Sequence, residues 1–468
     1  MINPHIFRAY DIRGIADSTD GSPNDLTEES VYLIGKGTGT YLIQKYGTKN
    51  MAVGRDNRLT GERLQQAFMK GLSEAGLDVT DVGLAISPMM YWTTCTLGFD
   101  SATNITASHN PKEYNGIKTV AKNAHSICGN ELQEIKKLIE SDKLLSSETP
   151  GKIIQKDVQT QYLSDLKSRV NITRNLKVVV DTGNGTAGAF APQFLRSVGC
   201  EVIELFTDLD GTFPNHEANP EELKNMTSLI QKVLSEKADL GIGFDGDGDR
   251  VGVVNEKGEM YSSDFMLLLL AKDLMTRVKN PKIVFDIKVS QAIINRMAQL
   301  GAEPIMSKTG HSFIEAKMKE LNAPLAGEVS GHLFFGENYY GFDDALLAAG
   351  KIIQIIATSE VPLSEMFNDL PKTFTTPEFK AHCPDDKKFE IVENLRNHFI
   401  PLYECITIDG VRINFDENSW GAIRASNTSP NLTLRFESNT ETHLQEIQTI
   451  MVEELKKYPE VSLDWYRQ

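Results

Sequence analysis

Three stretches of this chain follow one order: a strand ending in an acidic residue, a turn, a helix-length segment, a glycine and a second strand. Met51-Ala-Val-Gly-Arg-Asp56 leads to Gly76-Leu-Asp-Val, Lys177-Val-Val-Val-Asp181 to Gly199-Cys-Glu-Val, and Lys282-Ile-Val-Phe-Asp286 to Gly301-Ala-Glu-Pro. A recurrence of this kind marks repeated structural units. Short β-rich runs alternating with amphipathic helical segments bury their apolar faces by packing helices on parallel or mixed sheets. The predicted fold class is therefore α/β, with three related α/β domains built on mixed sheets.

Breaks in the pattern set the boundaries. The polar stretch 141–156, with Pro150-Gly151 inside it, and the turn Asn255-Glu-Lys-Gly258 close the first two domains. After Leu370-Pro371 the grammar changes to strand-like runs at 405–407, 411–415 and 432–436 and a helical stretch at 442–457, a smaller C-terminal α+β domain. The expected domains are 1–151, 152–257, 258–371 and 372–468. Four domains suit a chain of 468 residues, three times the usual domain length.

Composition narrows the class of partner. A net charge of -16 disfavours a general nucleic-acid or anionic-membrane surface, since both require a positive face. The longest strongly apolar run, 265–271, falls far short of the ~20 residues of a membrane span. Met1 to Gly14 lacks the basic and apolar regions of a signal peptide. Five cysteines without Cys-x-x-Cys spacing indicate neither a disulfide framework nor a zinc site. The expectation is a cytoplasmic protein, monomeric or a small homo-oligomer.

Four segments carry chemistry. Asp245-Gly-Asp247-Gly-Asp249-Arg250 lies between the strand-like runs 240–244 and 251–255. Three close carboxylates repel one another and call for a hard divalent cation bound through oxygen. An EF-hand is disfavoured: Glu256 falls at the twelfth position, but Arg250 stands where that loop requires glycine. Thr106-Ala-Ser108-His109-Asn110-Pro111 presents a serine before a turn-prone pair, expected to be exposed, and Lys118 beyond Asn115-Gly116 can return to it with positive charge. Gly327-Glu328-Val-Ser330-Gly331-His332 sets a carboxylate and a hydroxyl on one side if the backbone is extended, a pair able to bond neighbouring sugar hydroxyls. Arg424-Ala-Ser426-Asn427-Thr428-Ser429-Pro430, with Arg435 beyond, combines a guanidinium, hydroxyls, an amide and turn backbone into a phosphate cradle. A competing reading comes from Gly183-Asn-Gly185-Thr-Ala-Gly188, which matches the dinucleotide fingerprint of an NAD-dependent oxidoreductase. Asp181 just ahead of that loop opposes a bound pyrophosphate, and the other two repeats lack such glycines.

Taken in order, these segments resemble the α-D-phosphohexomutase superfamily, and within it the phosphomannomutase/phosphoglucomutase branch. The resemblance extends from Phe7-Arg-Ala-Tyr10-Asp-Ile-Arg13-Gly14 to Arg435, nearly the whole chain. It implies four domains around a central cleft and interconversion of hexose 1-phosphate and hexose 6-phosphate, with mannose and/or glucose as the sugar. Ser108 is implied as the phosphoryl carrier, and Mg²⁺ as the cofactor, held by Asp245, Asp247, Asp249 and the phosphoserine. A hexose 1,6-bisphosphate is implied as intermediate and activator. Lys118 and His332 resemble the family's proton-transfer candidates, beside Arg250. Glu328 and Ser330 would hold sugar hydroxyls, and Arg424, Ser426, Asn427 and Thr428 the non-transferring phosphate. Tyr10, Arg13, Lys288, His311 and Arg435 resemble its supporting substrate-site residues. Alternatives are a phosphoglucosamine mutase and a non-catalytic sugar-phosphate sensor. Thr106-Ala-Ser108 and Arg424-Ala-Ser426-Asn427-Thr428 resemble the mannose/glucose branch, because phosphoglucosamine mutases usually show Ser-Ala-Ser and a glycine-containing phosphate loop.

Overall fold

The computed structural model of the chain describes residues 2–426 and 429–467. The chain divides into two compact units, Met1–Leu270 with Ser330–Met366 and Ala271–Val329 with Phe367–Gln468.

The first unit contains two sheets. In one, Asn50–Arg55 pairs in parallel with both Asp78–Leu84 and Ser101–Ile105. Ser101–Ile105 then pairs antiparallel with Tyr114–Ala121, which also carries Ile12–Ile15. The helix Glu28–Tyr46 begins because Thr27 and Ser30 form a reciprocal capping box, and it ends at Gly47 in the left-handed conformation. Its buried Val31, Ile34 and Leu42 meet Leu64, Phe68 and Leu72 of Gly61–Ala75 in the core beneath the sheet. Each side chain buried to this degree contributes about 1.5–3 kcal/mol. In the second sheet, Lys177–Asp181 pairs in parallel with Glu201–Leu205 and Leu240–Phe244, and Leu240–Phe244 runs antiparallel to Val251–Asn255.

In the second unit, Lys282–Asp286 lies parallel to Glu303–Ser307 and Leu325–Gly327. All three predicted repeats are thus parallel strand pairs joined by a helix. The C-terminal part is an antiparallel sheet ordered Phe374–Thr375, Asn431–Ser438, Trp420–Ala425, Val411–Asn414 and Glu404–Ile406, covered by Lys388–Phe399 and Glu441–Leu455. The strand Trp420–Ala425 and the helix Lys388–Phe399 are additions to the sequence reading. Among the described residues, no helix is long and apolar enough to cross a membrane.

Candidate active site

The acidic hairpin loop is closed from within. Phe244 and Val251 are partners across the antiparallel pair, and Asp245 Oδ1 accepts hydrogen bonds from the amides of Asp249 and Arg250 at 3.0 and 3.1 Å. Gly248 supplies the left-handed residue (φ 71°) that the turn needs. Gly246 is required for another reason: a Cβ there would collide with the carbonyl of Ser108. The two loops therefore touch backbone to backbone, and the Ser108 hydroxyl donates to Asp245 Oδ2 at 2.8 Å. The sequence places Ser108 on an exposed turn, but it is only 1% accessible. The acidic loop covers it, a long-range contact that local turn chemistry cannot reveal.

Lys118 reaches the same place because its strand folds back against Ser101–Ile105, opposite Asn104. Its ammonium bonds Asp247 Oδ2 at 2.8 Å and Asp249 Oδ2 at 2.5 Å. Ser87 also donates to Asp247 Oδ2, at 2.6 Å. The other oxygens, Asp247 Oδ1 and Asp249 Oδ1, are buried without a hydrogen-bond partner. One ligand atom from each of Asp245, Asp247 and Asp249 lies within 4.8 Å of the others. Buried anionic oxygens left unpaired are costly, so the donor set fits a hard cation. Electrostatics agree. Burial, with Asp249 and Asp247 beside it, pushes Asp245 well above the usual carboxylate range. Burial also pushes Asp249 up, but the Lys118 ammonium and the Arg250 guanidinium outweigh it and hold the carboxylate well below that range. For Lys118, burial pulls the ammonium down, whereas Asp247 and Asp249 together raise it well above the ordinary lysine value.

Around this core, Arg13 donates from Nη1 to the Ala107 carbonyl at 3.1 Å and to Asn110 Oδ1 at 2.5 Å, with its Nε on Asp11. Arg250 Nε donates to His332 Nε2 at 2.9 Å, and His332 Nδ1 donates to Asp343 Oδ2 at 2.5 Å. These neighbours fix the neutral tautomer protonated at Nδ1. Tyr10 lies half-buried in the bend before Ile12–Ile15, and Ser330 is half-buried. Asp343 is a functional candidate that sequence reasoning missed, since its relation to His332 arises from a strand pairing.

The remaining candidates lie in the second unit, apart from Ser330, which begins the last segment of the first. Lys288 Nζ bonds Glu378 Oε2 at 2.7 Å and lies 3.6 Å from Asp286 Oδ2. Arg435 Nη1 donates to the Lys288 carbonyl at 3.0 Å. Arg424, at the end of Trp420–Ala425, bonds Asp409 Oδ2 at 2.7 Å, and that same oxygen accepts from the Thr309 amide at 3.0 Å. Glu328 Oε1 accepts from the Gly310 amide at 2.5 Å, where the helix His311–Leu321 begins. Glu328 and Ser330 occupy a turn following Leu325–Gly327, so the extended backbone expected between them is not present. Gly331, with φ 108°, favours the turn over strand continuation. Ser426 exchanges hydrogen bonds with Ser429, its hydroxyl 2.9 Å from that of Ser429. Asn427 and Thr428 lie outside the described residues. Glu378 and Asp409 also escaped the sequence reading; each is an isolated acid whose partner is distant in the chain.

The glycine segment of the competing dinucleotide reading is occupied by protein. The Thr186 amide donates to the Gly246 carbonyl, and a Cβ at Gly185 would press on Gly246. Of its glycines, Gly185 serves close backbone approach to the acidic loop, whereas Gly183 abuts Ala218 and Gly188 the Thr207 carbonyl.

This architecture and these loops coincide with a family match. The models for phosphoglucomutase/phosphomannomutase α/β/α domains I, II and III match residues 4–146, 160–258 and 262–374, and the model for the C-terminal domain matches 378–454. The chain belongs to the phosphoglucomutase/phosphomannomutase family, with three α/β domains followed by a C-terminal domain. Among individual proteins, it is 40% identical to a phosphomannomutase/phosphoglucomutase of Pseudomonas aeruginosa over 96% of this chain and 95% of that one. It is 38% identical to a phosphoglucomutase of Neisseria meningitidis, over 95% of each. A crystal structure of a phosphoglucomutase/phosphomannomutase family protein from Burkholderia thailandensis superposes with a TM-score of 0.89, at 37% identity and 98% coverage of both chains.

Proposed function

We propose that the protein interconverts hexose 1-phosphate and hexose 6-phosphate, with mannose and glucose as the sugars, through a phosphoryl group carried on Ser108. The observation that carries this reading is the placement of the Ser108 hydroxyl 2.8 Å from Asp245, beside two buried carboxylate oxygens lacking any hydrogen-bond partner. Relatives of nearly full length bear both sugar names, which supports a dual substrate range.

Asp245, Asp247, Asp249 and an oxygen of the phosphorylated Ser108 would hold Mg²⁺. When bound, the ion neutralises charge on the transferring phosphoryl group. The protein's own residues do the rest. The free 6-hydroxyl of a hexose 1-phosphate attacks phosphorus and gives up its proton, the bond to Ser108 Oγ breaks and that oxygen takes up a proton, and a hexose 1,6-bisphosphate forms. In the second half, Ser108 Oγ takes the phosphoryl group from the 1-position, leaving hexose 6-phosphate. Lys118 supplies positive charge between Asp247 and Asp249, and His332 offers the proton site that Arg250 and Asp343 orient. Glu328 and Ser330, in the turn after Leu325–Gly327, are proposed to hold sugar hydroxyls, while Arg424 and Ser426 are proposed to bind the non-transferring phosphate. Lys288, His311 and Arg435 support that site, and Tyr10 and Arg13 support the transfer site.

The test is a coupled assay on mannose 1-phosphate and glucose 1-phosphate with Mg²⁺ and a trace of glucose 1,6-bisphosphate, following the 6-phosphate. The expected result is isomerisation that EDTA abolishes. Turnover of neither sugar, with turnover of glucosamine 1-phosphate, would move the assignment to the amino-sugar mutase.

A further inference from the structure

The loop carrying Ser108 is poorly supported on one flank. Residues 108–113 border a pocket of about 230 Å³ whose opposite wall includes Thr212, Phe213 and Glu217. Apolar packing cannot fix a segment with an open side, yet Ser108 holds a left-handed backbone (φ 52°). A residue with a Cβ keeps that conformation only where its surroundings impose it.

Beside the contacts from Arg13 and Gly246, the largest share of those surroundings comes from Arg58, which follows the strand Asn50–Arg55 and precedes the helix Gly61–Ala75. Its Nη2 donates to the carbonyls of Ser108 and Asn110 at 2.9 and 2.6 Å. Its Nη1 donates to those of Pro111 and Tyr114 at 2.6 and 3.1 Å. Nε donates to Asp56 Oδ2 at 3.1 Å, so all five N–H groups of the guanidinium are used. The ring of Phe213 lies 5.1 Å from the guanidinium carbon, and the side chain is 1% exposed. A buried ion pair is a poor way to gain stability, because an apolar pair of similar volume generally costs less. Four carbonyls of one loop held by one planar group instead describe a device for fixing geometry.

We propose that Arg58 is a positioning residue for phosphoryl transfer. It clamps the backbone of residues 108–114 so that Ser108 Oγ stays aimed at the acidic loop while the group on it changes from hydroxyl to phosphate. The proposal rests on Ser108 as phosphoryl carrier. The guanidinium hydrogen-bonds only carbonyl oxygens of that loop and Asp56, so its hold on Ser108 is exerted through the loop backbone.

The experiment compares full-length wild type, Arg58→Lys and Arg58→Ala, with urea unfolding as the measure of folding and the ³¹P resonance of phosphorylated Ser108 as the measure of loop geometry. Lysine keeps the charge beside Asp56 but cannot span four carbonyls. The expected result for Arg58→Lys is a kcat lower by on the order of 100-fold, the scale set by a displacement near 1 Å. KM for hexose 1-phosphate should stay near wild type, with a shifted or broadened ³¹P line. In Arg58→Ala, guanidinium ion at tens of millimolar should restore part of kcat. Wild-type kcat in folded Arg58→Lys would overturn the proposal. A kcat loss that merely follows the folded fraction, with an unchanged ³¹P line and no rescue by guanidinium, would also overturn it. A wild-type enzyme that turns over with no phosphate on Ser108 at any stage would instead refute the carrier reading, and this inference with it.

Discussion

Lys118 shows how one side chain can stand in two electrostatic roles. With two carboxylates at 2.8 and 2.5 Å it is held as an ammonium, and it partly offsets the charge that Asp245, Asp247 and Asp249 concentrate in a buried space. Asp245 is the member pushed toward its neutral form, and it is also the one that accepts the Ser108 hydroxyl. Ser108→Ala should leave urea unfolding near wild type while removing nearly all turnover; substantial turnover in the folded variant would sink the relay assignment. Asp247→Asn should raise the Mg²⁺ concentration needed for half-maximal activity at least tenfold, read from a metal titration of the coupled assay. A tenfold shift corresponds to about 1.4 kcal/mol of lost cation binding.

Helices and strands decide which of these side chains meet. Asp344 accepts from the Leu347 amide at 2.9 Å and so starts the helix Ala345–Thr358, and it also accepts from the hydroxyls of Tyr162 and Tyr339. Burial nevertheless dominates and pushes its carboxyl up to about 6. A carboxyl raised on folding binds a proton in the native chain before the unfolded chain does. Its contribution to stability therefore grows as pH falls from about 6 toward 4, and shrinks as pH rises through 6. Across that window the change is roughly 3 kcal/mol at most. Asp344→Asn should lose this slope, so that its stability relative to wild type improves between pH 4.5 and 7.5 in urea unfolding. A difference independent of pH would mean that the native carboxyl titrates normally. Asp343, next in sequence, bonds His332, so the same helix start also sets the histidine's orientation.

At this level the sequence was most readable where pattern and pairing are local. The three strand–helix–strand units and the acidic hairpin were legible because each closes within some thirty residues. Trp420–Ala425 was not, because it is buried on both faces, which removes alternation, and Gly421 and two alanines leave Trp420 and Ile423 as its only strong strand formers. The cover over Ser108 was illegible for a related reason. Nothing near Ser108 in the chain announces that Gly246 will press on its carbonyl.

At the scale of the whole molecule, the proposed site residues are distributed over both units. Among the described residues, the clustered carboxylates that could hold a cation belong to Met1–Leu270 with Ser330–Met366, whereas Arg424, Ser426 and Glu328 belong to the other unit. A ligand that binds only the folded state stabilises it by about 2.7 kcal/mol at one hundred times its dissociation constant. Saturating Mg²⁺ should thus raise the thermal transition of the wild-type protein in calorimetry, and EDTA should reverse the rise. Asp247→Asn should show little of it. An equal rise in the variant would place the stabilising ion elsewhere.

The backbone contact between Gly246 and Ser108 also bears on how such a chain can be altered. Neither loop can be exchanged alone, because a foreign version of either must present the same missing side chain or the same carbonyl to its counterpart. In recombining this chain with a homologue, residues 106–114 and 245–250 form one inherited piece although well over a hundred residues of sequence separate them. A crossover placed between them would join halves from different parents at the point where the least variation can be absorbed.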